Sequence, residues 1–322
     1  MHGWTGCILR INTKDHTTKR WDAGDDLRRE YIGGRGLATR LLYDEVGPKV
    51  DPKGPENKLF LTLGPLTGTP LSACRMTVPT KSPRNGMLSD GNMGGHFPAE
   101  LRFAGYDGLI LEEESEEPIY IYIEDDKVSI RSAAHLWGLP VTETHNRLLE
   151  ELGDHSVKTL IIGKAGENQA NAAVIIGDVY HASGRGAAGR VMGQKKVKAI
   201  AVKGSGEIPI ADQDAFLHVY HDFWKELSPE DCIDIYHRAW GVAGDALATD
   251  FIKTMGGLAV KNDQGFDEQI SSFPVGSATI REFLLRPQSC FSCGLPSCNQ
   301  MIAHGESVLK MHTGSIIGMG SN

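Results

Sequence analysis

NMGGHFPAELRFAGYDGLILEE, residues 92–113, has a counterpart further along the chain in ASGRGAAGRVMGQKKVKAIAVKG, residues 182–204. Each stretch opens on a glycine-rich loop and passes through a short helix rich in small residues, AELRFAG in one and AAGRVMG in the other. Each then ends in a strand built from apolar and β-branched residues. Working outward, KLFLTLGPLTG (58–68) and RMTVPTKSP (75–83) precede the first stretch, and KTLIIGKAGEN (158–168) and NAAVIIG (171–177) precede the second. EEPIYI (116–121) and GEIPI (206–210) follow them. Both copies read as strand, glycine turn, strand, glycine-rich loop, short helix, strand and proline stop. An α+β fold is expected: a pseudo-two-fold duplicated β-sheet domain over residues 1–210, with the duplication near 58–121 and 158–210.

A third glycine loop begins GGRGLATRLLYDEV (33–46) and opens an amphipathic helix whose apolar face is Leu37, Leu41 and Leu42. After Pro209 the pattern becomes helical and polar, first in DQDAFLHVYHDFWKEL and then in DALATDFIKTMGG. A domain boundary is expected near 210, with residues 211–322 forming the start of a mostly helical domain.

The bulk composition excludes several classes. The 322 residues are 40% hydrophobic and 23% charged, with a net charge of −8, which is ordinary for a globular protein. With no long Lys/Arg run, neither nucleic acid nor an anionic membrane surface is the expected partner. No apolar run approaches the length of a membrane span, and the N-terminus has no signal-peptide core. Half of the six cysteines fall in one cluster, which is not a secreted disulfide framework and points to a reducing, cytoplasmic compartment.

The glycine loops can bind anions through backbone N–H groups at helix starts, or they can be turns and close-packing sites. Their occurrence in duplicate suggests two anions, or one ligand that is itself two-fold. GRGAAG (184–189) fits G-x-G-x-x-G, but DVYHAS stands between it and the preceding strand, which disfavours a Rossmann site. No P-loop sequence occurs. Arg75, just before a strand, can pair with a phosphate or be an ordinary surface arginine.

Cys290, Cys293 and Cys298 have the spacing C-x2-C-x4-C in RPQSCFSCGLPSCNQ. Three thiolates this close can reach one metal centre, and both zinc and an iron–sulfur cluster accept four. Zinc usually takes two C-x2-C pairs, and the second is missing here. Cys7, Cys74 and Cys232 read as buried small residues. The histidines, including the His218/His221 pair, read as structural or surface groups.

Taken together, GGRGLATRLLYDEV, ENKLFLTLGPLTGT, VPTKSP, GGHFPAELRFAGYDGLILE, AGEN, SGRGAAGRVMGQKKVKAIAVKG and the cysteine triplet resemble the aldehyde ferredoxin oxidoreductase family, from Trp4 to the C-terminus. The resemblance implies a tungsten (or molybdenum) bis-pyranopterin, a [4Fe–4S] cluster and a Mg²⁺ joining the pterin phosphates, all seated on a pseudo-two-fold base. It implies that Arg75 lies between pterin phosphate and cluster, and that Asn92 and the carbonyl of Ala182 hold the Mg²⁺. Gly94 and Gly95, with Ser183, Gly184 and Arg185, would line the pterin loops, and Cys290, Cys293 and Cys298 would hold the cluster. The implied reaction is oxidation of an aldehyde to a carboxylate, with ferredoxin or another electron-transfer subunit as partner. The substrate would be a small aldehyde or acyl compound, and a homodimer is left open.

The chain departs from the family pattern in three ways. Its third cluster cysteine is one residue late relative to the usual C-x2-C-x3-C. The glutamate of aldehyde-oxidising members, just before GSIIGMGSN, is replaced in a stretch containing Met311, His312, Thr313 and Gly314, which keeps a benzoyl-CoA reductase-like reaction open. The fourth cluster cysteine and the D-x-x-G-L pterin motifs are absent. The resulting expectation is a longer protein read short, for instance at a selenocysteine codon after Asn322, with a split enzyme or an inert half-protein as rivals. The chain by itself is expected to be inactive.

Overall fold

The structure is a computed structural model that describes residues 2–227 and, beyond them, 259–260, 265–266, 284–293, 298–303 and 306–312. The chain divides into two units, Met1–Gln213 and Asp214–Asn322.

The first unit contains two six-stranded sheets. In chain order its elements are β1 (Ile8–Asn12), β2 (Thr17–Trp21), α1 (Asp25–Tyr31), α2 (Gly34–Glu45), β3 (Leu59–Leu63), β4 (Met76–Lys81), β5 (Leu88–Met93), α3 (Phe97–Phe103) and β6 (Gly108–Glu112). They continue with β7 (Ile119–Glu124), β8 (Lys127–Ser132), α4 (Val141–Leu152), β9 (Lys158–Ile162), α5 (Lys164–Glu167), β10 (Ile175–Gly177), β11 (His181–Ser183), α6 (Ala188–Gln194) and β12 (Val197–Lys203). The first sheet runs β2-β1-β6-β3-β4-β5, and the second, read from its far edge, runs β8-β7-β12-β9-β10-β11. The two orders are the same pattern shifted by six strands. In each sheet only one pair is parallel, β1 with β6 and β7 with β12; the rest are antiparallel.

This is the expected α+β duplication, with longer repeats than the sequence stretches suggest. The first repeat begins at Ile8. EEPIYI (116–121), read above as the tail of the first copy, leads into β7 (Ile119–Glu124), the opening strand of the second. That strand pairs in parallel with β12, not with β6. Parallel partners distant in sequence leave no turn signal between them.

Period-two alternation sorts side chains between layers. Leu59, Leu61 and Leu63 of β3 point into a core shared by both sheets, together with Leu109, Leu111, Ile121, Leu160, Ile162 and Ile200. Phe60 and Ile110 point the other way, onto Leu37, Leu41 and Leu42 of α2. On the second sheet Tyr120, Ile161 and Ala199 likewise point outward, onto Leu148 of α4. Each such fully buried side chain contributes about 1.5–3 kcal/mol. Between the sheets lie α3 and α6, and they cross over: α3 packs on β9 and β12, and α6 reaches β3 and β4. Each half thus inserts its glycine-loop helix against the sheet of the other.

In the second unit the described residues form α7 (Gln213–Leu227), the two-residue strands β13 (Ala259–Val260) and β14 (Gly265–Phe266), and an antiparallel sheet of β15 (Leu284–Gln288), β16 (Cys298–Ala303) and β17 (Glu306–His312). α7 coincides with the helix read in DQDAFLHVYHDFWKEL. The expected helix in DALATDFIKTMGG (245–257) lies outside the described residues, as do Cys232, Thr313 and Gly314. Where a mostly helical segment was expected, the described part holds one helix and five strands. Among the described residues no helix is long and apolar enough to cross a membrane.

Candidate functional site

β5 and β11 are the free edges of the two sheets, and they run against each other. A Cβ on Gly91 would collide with Ser183 Oγ and lie 3.3 Å from Ser183 Cβ and 3.4 Å from the Arg185 carbonyl oxygen. At the other end of the seam, a Cβ on Gly186 would collide with Ser89 Oγ and lie 2.7 Å from Ser89 Cβ. These two glycines therefore serve the approach of one half to the other. The same contact sets Asn92, which follows Gly91, beside Ala182, which precedes Ser183. Ser183 is fully buried in the seam. Ala182, Gly184 and Arg185 are exposed.

Asn92 stands opposite Thr77 in the β4–β5 register, and Thr77 Oγ1 donates to Asn92 Oδ1 at 3.0 Å. A carbonyl oxygen has two lone pairs, so Asn92 retains acceptor capacity for a hard cation. One step past the Met76–Met93 pair, the register sets Arg75 against Gly94. Arg75 is exposed and makes no ion pair among the described residues. Gly94 and Gly95 are buried, and Gly95 has φ +103.

The Gly94–Gly95 loop is held from the opposite half by Asp178, which sequence reading passed over. Its Oδ2 accepts the backbone N–H groups of His96 at 2.9 Å and Phe97 at 3.0 Å, and its Oδ1 accepts that of Thr159 at 3.3 Å. Asp178 and Val179 have φ of 49° and 71°, and the Tyr180 N–H donates to the Gly177 carbonyl at 3.1 Å. That is a tight hairpin turn between β10 and β11. GRGAAG does therefore follow a strand directly, contrary to the sequence reading, because HAS is β11. The Rossmann site stays excluded for another reason: β11 is an antiparallel edge strand and forms no parallel βαβ unit with β12.

The third glycine loop joins the same edge. Thr62 Oγ1 donates to the Gly34 carbonyl at 3.0 Å, a Cβ on Gly34 would meet Thr77 Oγ1 at 3.6 Å, and Arg35 pairs with Asp90 of β5. Three glycine loops, from different points in the chain, meet along the β4–β5 edge.

The cysteines are in the second unit. Cys298 is paired with Gln288 of β15 and with His312 of β17. Residues 289–297 are thus the connection of one hairpin, with Cys298 at its closing pair and Cys290 two residues past the other. The Cys293 N–H donates to the Cys290 carbonyl at 3.2 Å, which makes a turn between those two. The Cys298 side chain lies outside the described residues, and among those described no three His, Cys, Asp or Glu side chains are grouped to hold a metal.

Residues 8–204 match the family model for the N-terminal domain of aldehyde ferredoxin oxidoreductase, well over half of the chain. The chain belongs to the aldehyde ferredoxin oxidoreductase family. It is 41% identical over 294 residues to a tungsten-containing aldehyde ferredoxin oxidoreductase of Thermococcus kodakarensis, covering 91% of this chain and 48% of that protein. To the Pyrococcus furiosus protein of the same name it is 39% identical, covering 95% and 51%. It is also 34% identical, over 70% of its length and 39% of the relative's, to the WOR-like subunit of an aliphatic sulfonate oxidoreductase of Pyrococcus furiosus. Among solved structures it resembles the active-site complex BamBC of benzoyl-coenzyme A reductase bound to 1,5-dienoyl-CoA. The TM-score is 0.79 at 27% identity, covering 97% of this chain and 49% of that one. The chain spans about half the length of the curated relatives it matches.

For a member of the aldehyde ferredoxin oxidoreductase family, the seam presents a fitting donor set. An asparagine amide oxygen beside a main-chain strand suits Mg²⁺, which takes oxygen ligands and completes its shell with water and phosphate. Gly184 has open space where its Cβ would point, with Val174 Cγ1 at 4.0 Å as its nearest neighbour, so packing alone does not demand glycine there.

Proposed function

We propose that the first unit is the cofactor-bearing base of a tungsten (or molybdenum) oxidoreductase. One observation above all supports the reading: Gly91 and Ser183, the chain neighbours of Asn92 and Ala182, meet across the β5–β11 seam at equivalent places in the two halves, which suits a ligand with two equivalent pterin arms. When bound, the bis-pyranopterin metal supplies the two-electron chemistry. The chain's own residues bind and orient. Asn92 Oδ1 and the Ala182 carbonyl would hold the Mg²⁺, while Gly94, Gly95, Gly184 and Arg185 would line the pterin loops. Arg75, exposed at the same edge, supplies a fixed positive charge to a phosphate. Cys290 and Cys293 of the β15–β16 connection, with Cys298 opening β16, would be three ligands of a [4Fe–4S] cluster.

Aldehyde oxidation to a carboxylate is the reaction proposed first, because the curated relatives carry that name. Ferredoxin or another electron-transfer subunit would be the redox partner. A reaction on a thioester substrate is the second reading, favoured by the likeness to the benzoyl-coenzyme A reductase complex. Elemental analysis of anaerobically purified protein tests the proposal. Tungsten or molybdenum with Mg²⁺ and about four irons is expected, and zinc as the sole metal overturns it.

A further inference from the structure

We infer that Thr77 is the positioning residue that aims Asn92 at the bridging cation, an inference that rests on the cofactor reading above. Thr77 is buried at 6% exposure, directly across from Asn92 in the β4–β5 register. Its hydroxyl donates to Asn92 Oδ1 at 3.0 Å. An asparagine amide rotates readily about its last torsion and can offer either its oxygen or its NH2. A cation needs the oxygen. The Thr77 hydroxyl, acting as donor, fixes the oxygen on the inner side of the strand pair and leaves its second lone pair for the metal.

Thr77 is itself enclosed. The Thr62 hydroxyl ties Gly34 into place at 3.0 Å, a Cβ on Gly34 would meet Thr77 Oγ1 at 3.6 Å, and Thr62 Oγ1 also reaches the Thr77 carbonyl at 3.5 Å. The third glycine loop, which has no counterpart in the duplication read from the sequence, thereby acquires a role: it flanks the hydroxyl that orients the ligand. Groups that orient a metal ligand typically change metal affinity by about 10–100-fold when removed.

The experiment follows loss of Mg²⁺ from the cofactor-loaded protein into excess EDTA, by elemental analysis over time, for wild type, Thr77→Ser, Thr77→Val and Asn92→Ala. Thr77→Val should release Mg²⁺ about tenfold faster than wild type, Thr77→Ser should track wild type, and Asn92→Ala should retain least. If Asn92→Ala loses Mg²⁺ but Thr77→Val behaves as wild type, Thr77 has no orienting role while the assignment of Asn92 stands. Serine failing as badly as valine also overturns it, because the hydroxyl would then not be what matters. If Asn92→Ala retains Mg²⁺ as wild type does, the assignment of Asn92 falls and this inference falls with it. Should Thr77→Val not fold, Thr77→Ala replaces it under the same criteria.

Discussion

The carboxylate of Asp178, in the second repeat, accepts the backbone N–H of Phe97, the first residue of α3 in the first repeat, at 3.0 Å. No local side chain caps α3: its N-cap residue is His96, which makes no side-chain capping bond. The cap comes from the other half. Asp178→Ala should therefore both strip α3 of its cap and loosen the two halves. Hydrogen bonds to a charged acceptor are worth about 1.5–3 kcal/mol each. With three N–H groups losing their acceptor and water replacing part of it, a loss of about 3 kcal/mol is expected in urea denaturation. Asp178→Asn should fall between Ala and wild type. A loss under about 0.5 kcal/mol, the range of an ordinary surface substitution, would mean that the clasp does not hold the halves together.

Gly91 and Ser183 meet closely across the seam. Gly91→Ala should cost about 1–3 kcal/mol, as overpacking of a close-packed contact does. The obstacle is chiefly Ser183 Oγ, since Ser183 Cβ stands at 3.3 Å from the added carbon. In a Ser183→Ala background the same substitution should therefore cost markedly less, and a double-mutant cycle measures the coupling. Additive costs would place the clash elsewhere.

Legibility in the sequence followed burial. LFLTL and KTLII announce themselves because they are central strands, apolar on both faces. LSDGNM and HAS do not, because each is an edge strand whose side chains answer to the opposite sheet. The glycines were the instructive case. Gly186 looks like a member of a ligand loop, yet the demand on it comes from Ser89 across the seam, as the demand on Gly91 comes from Ser183. Gly184, with open space beside it, keeps the ligand reading. Asp178 and Thr77 carry no motif at all, and their importance arises only from partners 81 and 15 residues away.

Ile32 carries strain that glycine should relieve. Its φ of 62° and ψ of −59°, with the Gly33 N–H donating to the Tyr31 carbonyl at 2.7 Å, make a γ-turn of the rare positive-φ hand. The Ile32 side chain is 60% exposed, so little burial is lost on removing it. The backbone contacts, including Trp4 Nε1 donating to the Ile32 carbonyl at 2.7 Å, survive. Such a residue costs about 1–3 kcal/mol, against about 0.5–1 kcal/mol for the extra freedom of glycine in the unfolded chain. Ile32→Gly should raise stability by about 1 kcal/mol in the same urea assay, and a loss would show that the side chain packs in a way its exposure hides.

Lys195 should make stability rise with pH. It is buried at 2% exposure, with its ammonium donating to the carbonyls of Pro55 at 3.2 Å and Glu113 at 2.8 Å. Burial pushes its pKa down to about 8, with Glu113, Glu114 and Glu112 opposing. In the unfolded chain it titrates at about 10.4. Below pH 8 both states are protonated and the fold bears the full cost of a buried charge. Between about pH 8 and 10 the fold gives up the proton while the unfolded chain keeps it, so stability increases through that window. Other groups titrate there as well, and Lys195→Met isolates the one that matters. From pH 7 to 9.5 the wild type should gain about 2 kcal/mol relative to Lys195→Met. Parallel pH profiles for the two proteins would show that Lys195 remains charged inside the fold, held by the two carbonyls and the neighbouring glutamates.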